Sequence, residues 1–225
     1  MNFSFFPAPT MVSPEEALPG RKDPVLPHPH PHTVLGTDIL AEPKGGEEVI
    51  YLAGGCYWGV EEIYWQTPGV VATAVGFMGG YTPNPTYREV TTGRTGHTET
   101  VRVVYDPAKL STPEVIKTFM EMHDPTSLNR QGNDIGTQYR SAIFTTTPQQ
   151  LETAQQMANA YEEKLAELGR GKIVTEIKRV DEAGAFYPAE DEHQQYLDKN
   201  PYGYRCHSAS GISCPMPGTG PLADL

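Results

Sequence analysis

The sequence predicts an α+β protein: a two-layer, ferredoxin-like (split βαβ) sandwich with an extra helix and strand and long irregular N- and C-terminal extensions. Three observations predict it. From Glu48 onward the hydropathy pattern runs strand, helix, strand, strand, helix, strand. A second amphipathic helix and a further strand follow that unit. Both ends are rich in Pro and Gly and lack periodicity. The expected organisation is an arm over residues 1–46, a catalytic α+β domain over 47–199, and a flexible tail over 200–225 that carries two cysteines.

Residues 48–53 are a short apolar strand. Residues 57–65 follow as a helix with Val60, Ile63 and Tyr64 on one face. Residues 70–78 form a second strand. Residues 98–105 form a third, with Val101 and Val103 on one face and Thr100, Arg102 and Val104 on the other. Ser111-Thr112-Pro113-Glu114 is a capping box with proline in the first turn, which starts a helix ending near Met122. Residues 140–146 complete the six-element unit. Thr147-Pro148-Gln149-Gln150 caps a long helix carrying Leu151, Ala154, Ala158, Tyr161, Leu165 and Leu168, closed by Gly169 and Gly171. A strand over 172–180 and a short acidic helix over 189–198 are expected next.

The 225 residues carry 17 basic and 28 acidic side chains, a net charge of −11, which disfavours nucleic acid or an anionic membrane as partner. No basic segment precedes a long apolar run, and no stretch suits a bilayer span. Three cysteines, an odd number, do not read as a secreted disulfide framework. The expectation is a cytoplasmic, monomeric protein in a reducing compartment, where cysteines are catalytic or redox-active more often than structural.

Chemistry concentrates at Cys56. In Gly54-Gly55-Cys56-Tyr57-Trp58-Gly59 two glycines provide a sharp exit from a strand, and a helix begins at once. Unpaired N–H groups and the positive helix end favour thiolate over thiol. A cysteine at its ordinary pKa of about 8.5 is only a few per cent ionised at neutral pH. The bland alternative, a cysteine acting as a small buried hydrophobe, needs neither the glycines nor the aromatics. Glu99, at the start of the third strand, either points into the sheet layer, where burial keeps it protonated, or faces water. Tyr87 and Tyr139 lie in long polar connections and offer phenolic donors, or simply pack with a wet hydroxyl. His28-Pro29-His30-Pro31-His32 reads as a solvated linker, because extended backbone throws the imidazoles apart. Cys206 and Cys214 lie among Gly and Ser, where a thiol can reach a sulfenic acid. Zinc held by Cys206, His207 and Cys214 is the weaker reading, since the spacing is wider than in structural sites.

Gly55-Cys56-Tyr57-Trp58-Gly59 resembles the active-site signature of the peptide methionine sulfoxide reductase A family. So do Gly79–Tyr87, Gly96-His97-Thr98-Glu99, Tyr105-Asp106-Pro107, His123-Asp124-Pro125, residues 131–141, residues 192–197 and Asn200-Pro201-Tyr202-Gly203-Tyr204. The resemblance runs in order over about residues 48–206. It implies a thiol-dependent reductase acting on the S epimer of methionine sulfoxide, free or in proteins, without metal or organic cofactor. It implies Cys56 as nucleophile, Tyr57 and Trp58 as the wall around the substrate methyl group, and Glu99 as the acid near the sulfoxide oxygen. Tyr87 and Tyr139 become hydroxyl donors, Asp134 a supporting carboxylate, and Cys206 and Cys214 recycling thiols served by a thioredoxin-like protein. Two departures stand out. Tyr57 replaces the family's usual phenylalanine, and its hydroxyl is expected at the pocket rim. Arg205 stands between Tyr204 and Cys206, which leaves open which recycling thiol attacks first. The rival readings are a thiol peroxidase or general disulfide reductase, and a redox-sensing or metal-binding protein without turnover.

Overall fold

The computed structural model describes residues 9–205, 209 and 211–217. It is a mixed α/β protein built on one six-stranded sheet. In chain order the elements are β1 (Glu48–Gly54), α1 (Tyr57–Trp65), β2 (Val70–Met78), α2 (Tyr87–Val90), β3 (Thr98–Tyr105), α3 (Thr112–Met122), β4 (Arg130–Gln131) and β5 (Asp134–Ile135). A 3₁₀ turn (Thr137–Tyr139) leads into β6 (Ser141–Thr145), α4 (Pro148–Glu167), β7 (Glu176–Arg179), α5 (Val180–Ala183) and β8 (Tyr187–Pro188). A second 3₁₀ turn (Asp191–His193) and α6 (Tyr196–Lys199) follow. The sheet order is β7-β6-β1-β3-β2-β8, parallel only between β6 and β7.

Alternation along the strands sorts the core. Ile50, Leu52, Val75, Phe77, Val101, Val103 and Ile143 pack under Tyr57, Val60 and Tyr64 of α1 and the apolar stripes of α3 and α4. Glu114 accepts hydrogen bonds from the Ser111 backbone and hydroxyl at 2.8 and 2.6 Å, which starts α3 where the capping box places it.

The opposite sheet face is covered by irregular chain. Leu26 and Ile39 of the arm bury Ala74. Arg102, which faces that side, donates to the carbonyls of Ile39 and Ala41 at 3.0 and 2.6 Å. A cation on an interior strand face is tolerated because carbonyl oxygens replace its water. Within the His-Pro run the reading as solvated linker fails at His32, which is 1% exposed. Pro31 and Asp38 form a short bridge, and that turn folds the His32 ring inward.

Two predicted elements are shorter than expected. Strand pairing over 172–180 is confined to Glu176–Arg179, because the Ile173 and Val174 N–H groups donate instead to Glu162 and the Pro125 carbonyl. The helix expected over 189–198 is broken in two at Gln195, whose φ is +47°. Local propensity loses there to long-range hydrogen bonds: the Gln194 amide accepts from Val75 N–H and donates to Val75 O, completing that strand position like a piece of backbone.

Candidate active site

Cys56 lies between the end of β1 and the first residue of α1, and is 7% exposed. Gly55 makes the bend with φ +96°, and a Cβ there would meet Gln131 Cβ at 2.8 Å. Gln131 cannot give way easily, since its amide is held by both the N–H and the carbonyl of Asp124. Gly55→Ala should therefore destabilise the fold by about 1–3 kcal/mol, seen as a lower thermal midpoint. An unchanged midpoint would mean that the bend is not strained.

Glu99 shares its strand face with Val101 and Val103, so alternation points it into the helix layer. It is 1% exposed and accepts the Tyr57 N–H at 3.0 Å. Burial pushes its pKa up to about 8, against the opposing effect of that hydrogen bond, and nearby Asp134 raises it further. At neutral pH it is mostly a neutral acid with a proton to give. Tyr87 opens α2, whose first N–H groups are satisfied by Thr86 and by Glu190. Its phenol is pushed up to about 12 by burial, then by the charges of Glu99, Cys56 and Asp134. Tyr139 ends the 3₁₀ turn that Thr98 holds through the carbonyls of Gln138 and Arg140. Its phenol is raised well above the ordinary value by burial and by Glu99, Tyr87, Asp134 and Cys56. Both phenols thus stay protonated and keep a hydrogen to donate. Cys56, Glu99 and Asp134 each push the Tyr87 and Tyr139 phenols up, so these five groups lie within electrostatic reach of one another. Asp134 accepts from the Tyr204 hydroxyl at 3.1 Å through one oxygen, while its other oxygen is buried without a partner among the described residues.

An aromatic wall flanks this polar cluster. Tyr57 lies 5.8 Å from Phe77 and 6.5 Å from Tyr87, centroid to centroid. Trp58 stacks on Tyr196 at 3.9 Å and on His193 at 5.8 Å. The expectation that the Tyr57 hydroxyl reaches the pocket rim is overturned: the residue is fully buried, and that hydroxyl has no hydrogen-bond partner among the described residues. The first residue of α1 points into the core beside Phe77, not outward. Tyr57→Phe should raise stability by about 1–3 kcal/mol, the cost of an unsatisfied buried polar group, with turnover retained. A lower thermal midpoint would show that the hydroxyl has found a partner.

His193, Tyr196, Glu190, Gln194 and Gln195 escape sequence reasoning as site residues. All but Glu190 lie in residues 192–197, where a signal was present, but only the tertiary fold brings that segment over Trp58. Cys206 and His207 lie outside the described residues. Cys214 does not sit on loose chain: it is 2% exposed, and its N–H donates to Glu121 at 2.8 Å. Burial first, then Glu121, pushes its thiol up to about 12. Among the described residues no group of three His, Cys, Asp or Glu side chains is placed to hold a metal ion, and no helix is long and apolar enough to cross a membrane.

Residues 48–214 match the family model described as peptide methionine sulfoxide reductase. The chain belongs to that family. It is an enzyme of methionine sulfoxide reduction. The reductase is 53% identical over 215 residues to the peptide methionine sulfoxide reductase MsrA of Corynebacterium kroppenstedtii, covering 94% of this chain and 98% of that protein. It is 54% identical over 214 residues to the protein of that name from Corynebacterium efficiens, covering 95% and 98%. Methionine sulfoxide reductase A of Corynebacterium diphtheriae has a solved structure that matches the reductase with a TM-score of 0.84 at 54% identity, over 93% of this chain and 100% of that one. Mxr1 from Saccharomyces cerevisiae in reduced form matches with a TM-score of 0.67 at 35% identity, over 75% and 95%.

Proposed function

We propose that the reductase removes oxygen from the S epimer of methionine sulfoxide, free or in proteins, through a sulfenic acid on Cys56. The observation that carries this is the company Cys56 keeps: a neutral buried carboxylic acid, two protonated phenols, and an aromatic wall of Trp58 stacked on Tyr196. The positive end of α1 favours the Cys56 thiolate. The thiolate attacks the sulfoxide sulfur, which carries partial positive charge. Negative charge grows on the oxygen, where Tyr87 and Tyr139 donate hydrogen bonds and Glu99 delivers a proton. Two electrons pass from Cys56 to the substrate, so methionine leaves and Cys56 becomes a sulfenic acid. Trp58 holds the S-methyl group, with the buried Tyr57 packed beside it in support, and Asp134 keeps Tyr204 and the donors in place. Cys206 then condenses with the sulfenic acid and releases water. Two hydrogen bonds from Arg205 to Glu62, at 2.8 and 2.7 Å, tie the chain just before position 206 to the helix that follows Cys56, which supports this order. Exchange with Cys214 requires residues 211–217 to leave α3 and α4, after which a thioredoxin-like protein reduces the disulfide.

The same reading makes the core a split βαβ arrangement, supported by the inner order β6-β1-β3-β2 with every neighbour antiparallel. It also takes the protein as a cytoplasmic monomer. Single-turnover mass spectrometry on separated sulfoxide epimers tests the chemistry. The S epimer alone should give methionine and a Cys56–Cys206 or Cys206–Cys214 bond. Cys206→Ser should still release one methionine per enzyme. Equal use of both epimers would reject the stereochemical assignment.

A further inference from the structure

β8 pairs only with Gly76 and Phe77, so the first half of β2 is a sheet edge. The arm closes it. Thr37 donates to the Val71 carbonyl at 2.8 Å, and His32 lies edge-on to Trp65 with ring centroids 5.8 Å apart. The His32 ring is oriented without ambiguity: its Nδ1 accepts the N–H groups of Val34 and Leu35, both at 3.1 Å, so its Nε2 carries the hydrogen and donates to Thr73 Oγ1 at 2.8 Å. Thr73 is thereby left to donate its own hydrogen to Glu61 Oε1, at 2.9 Å. Glu61 is fully buried on α1 and spends its remaining capacity on one residue: it accepts the Gln195 N–H at 2.9 Å and the Gln195 side-chain amide at 2.8 Å. Gln195 is the residue in left-handed backbone conformation that breaks the chain between His193 and Tyr196, the two rings stacked on Trp58. A glutamine adopts that conformation only where its surroundings impose it.

We propose that the N-terminal arm is a working part of the substrate pocket, in which His32, Thr73 and Glu61 are positioning residues that hold the Gln195 turn, and with it the His193 and Tyr196 rings, against Trp58. The directional chain His32→Thr73→Glu61←Gln195 links the arm, β2, α1 and the 190–199 segment through side chains that are each at most 2% exposed. None of the four touches the sulfur chemistry. Their effect is on the shape of the wall that takes the methyl group, so they act on substrate binding more than on the oxygen-transfer step. The inference rests on reading Trp58 as that wall.

Thr73→Val keeps the shape of the side chain and cuts the chain in the middle; Thr73→Ser restores the hydroxyl. His32→Leu cuts it from the arm side, outside the sheet, and serves if the valine variant does not fold. Two quantities are measured on the full chain: the half-saturating concentration of methionine sulfoxide against the rate at saturation, and amide hydrogen exchange by mass spectrometry. The cut should weaken half-saturation on the order of tenfold, the change that losing one hydrogen bond to a charged group represents, with a much smaller change in the saturated rate. Exchange should rise in residues 189–199 while β1 and β3 stay protected, and serine should reverse both effects. Unchanged exchange in 189–199 would overturn the coupling. Raised exchange with unchanged half-saturation would overturn the positioning role, and so would an equal loss of protection throughout the sheet. The exchange measurement needs no turnover, so failure of the Cys56 mechanism, read separately from Cys56→Ser, is distinguishable from failure of this inference.

Discussion

Cys56→Ser should abolish methionine formation, lowering turnover by at least about a thousandfold, because a hydroxyl at that position is neither ionised nor soft enough to attack sulfur. The substitution is nearly isosteric at a site 7% exposed, so the fold should survive it. That separates loss of chemistry from loss of structure. The decisive measurement is methionine released from the S sulfoxide by a variant whose thermal unfolding matches that of the parent chain. Retention of more than about a hundredth of the parent rate would rule out position 56 as the attacking group, since removing a nucleophile costs far more than that.

Glu99→Gln should slow turnover on the order of a hundredfold, about 3 kcal/mol of transition-state stabilisation. The amide oxygen can still accept the Tyr57 N–H, so the start of α1 stays in place, while the proton that the oxygen needs is gone. The parent rate should fall as pH rises through about 8, where the buried acid ionises. In the glutamine variant that limb should vanish. The same shift has a consequence for stability. Glu99 is raised from 4.5 to about 8, so between those values the folded chain binds a proton that the unfolded chain has released. Stability contributed by Glu99 is thus full below the ordinary glutamate range and is lost as pH rises through about 8. Glu61, raised to about 7 by burial, works in the same direction over a narrower window. Thermal midpoints should fall across that window, and less steeply in Glu99→Gln. A rate profile flat through pH 8 would remove Glu99 as the acid.

Much of this site was legible from residue types and spacing because it rests on local geometry. The strand, glycine bend and helix around Cys56 lie within a few residues of one another. Strand alternation at Val101 and Val103 also decides the side on which Glu99 lies, once one knows which face is covered by helices. Sequence left both faces open for Glu99; the packing of α1 closed the question. The residues that escaped are those whose partners are distant in the chain. Gln194 and Gln195 look like solvated polar positions inside an acidic helix, yet each spends its amide on a partner about 120 to 134 positions away. His32 looked like part of a solvated linker for the same reason. The tail thiol at Cys214 reads as mobile among Gly and Ser, but Tyr161, Lys164 and Glu121 hold residues 212–214 by their backbone.

Sequence alone determined the order of the main strands and helices and the caps, and it singled out Cys56 as the proposed nucleophile, because each depends on neighbours along the chain or on the reactivity of a single side chain. The tertiary structure decided the burial of Glu99, the burial of the Tyr57 hydroxyl, the broken helix at Gln195 and the docking of the arm. All four follow from desolvation and hydrogen bonds between segments far apart in sequence, and those forces exist only once the sheet has brought the segments together.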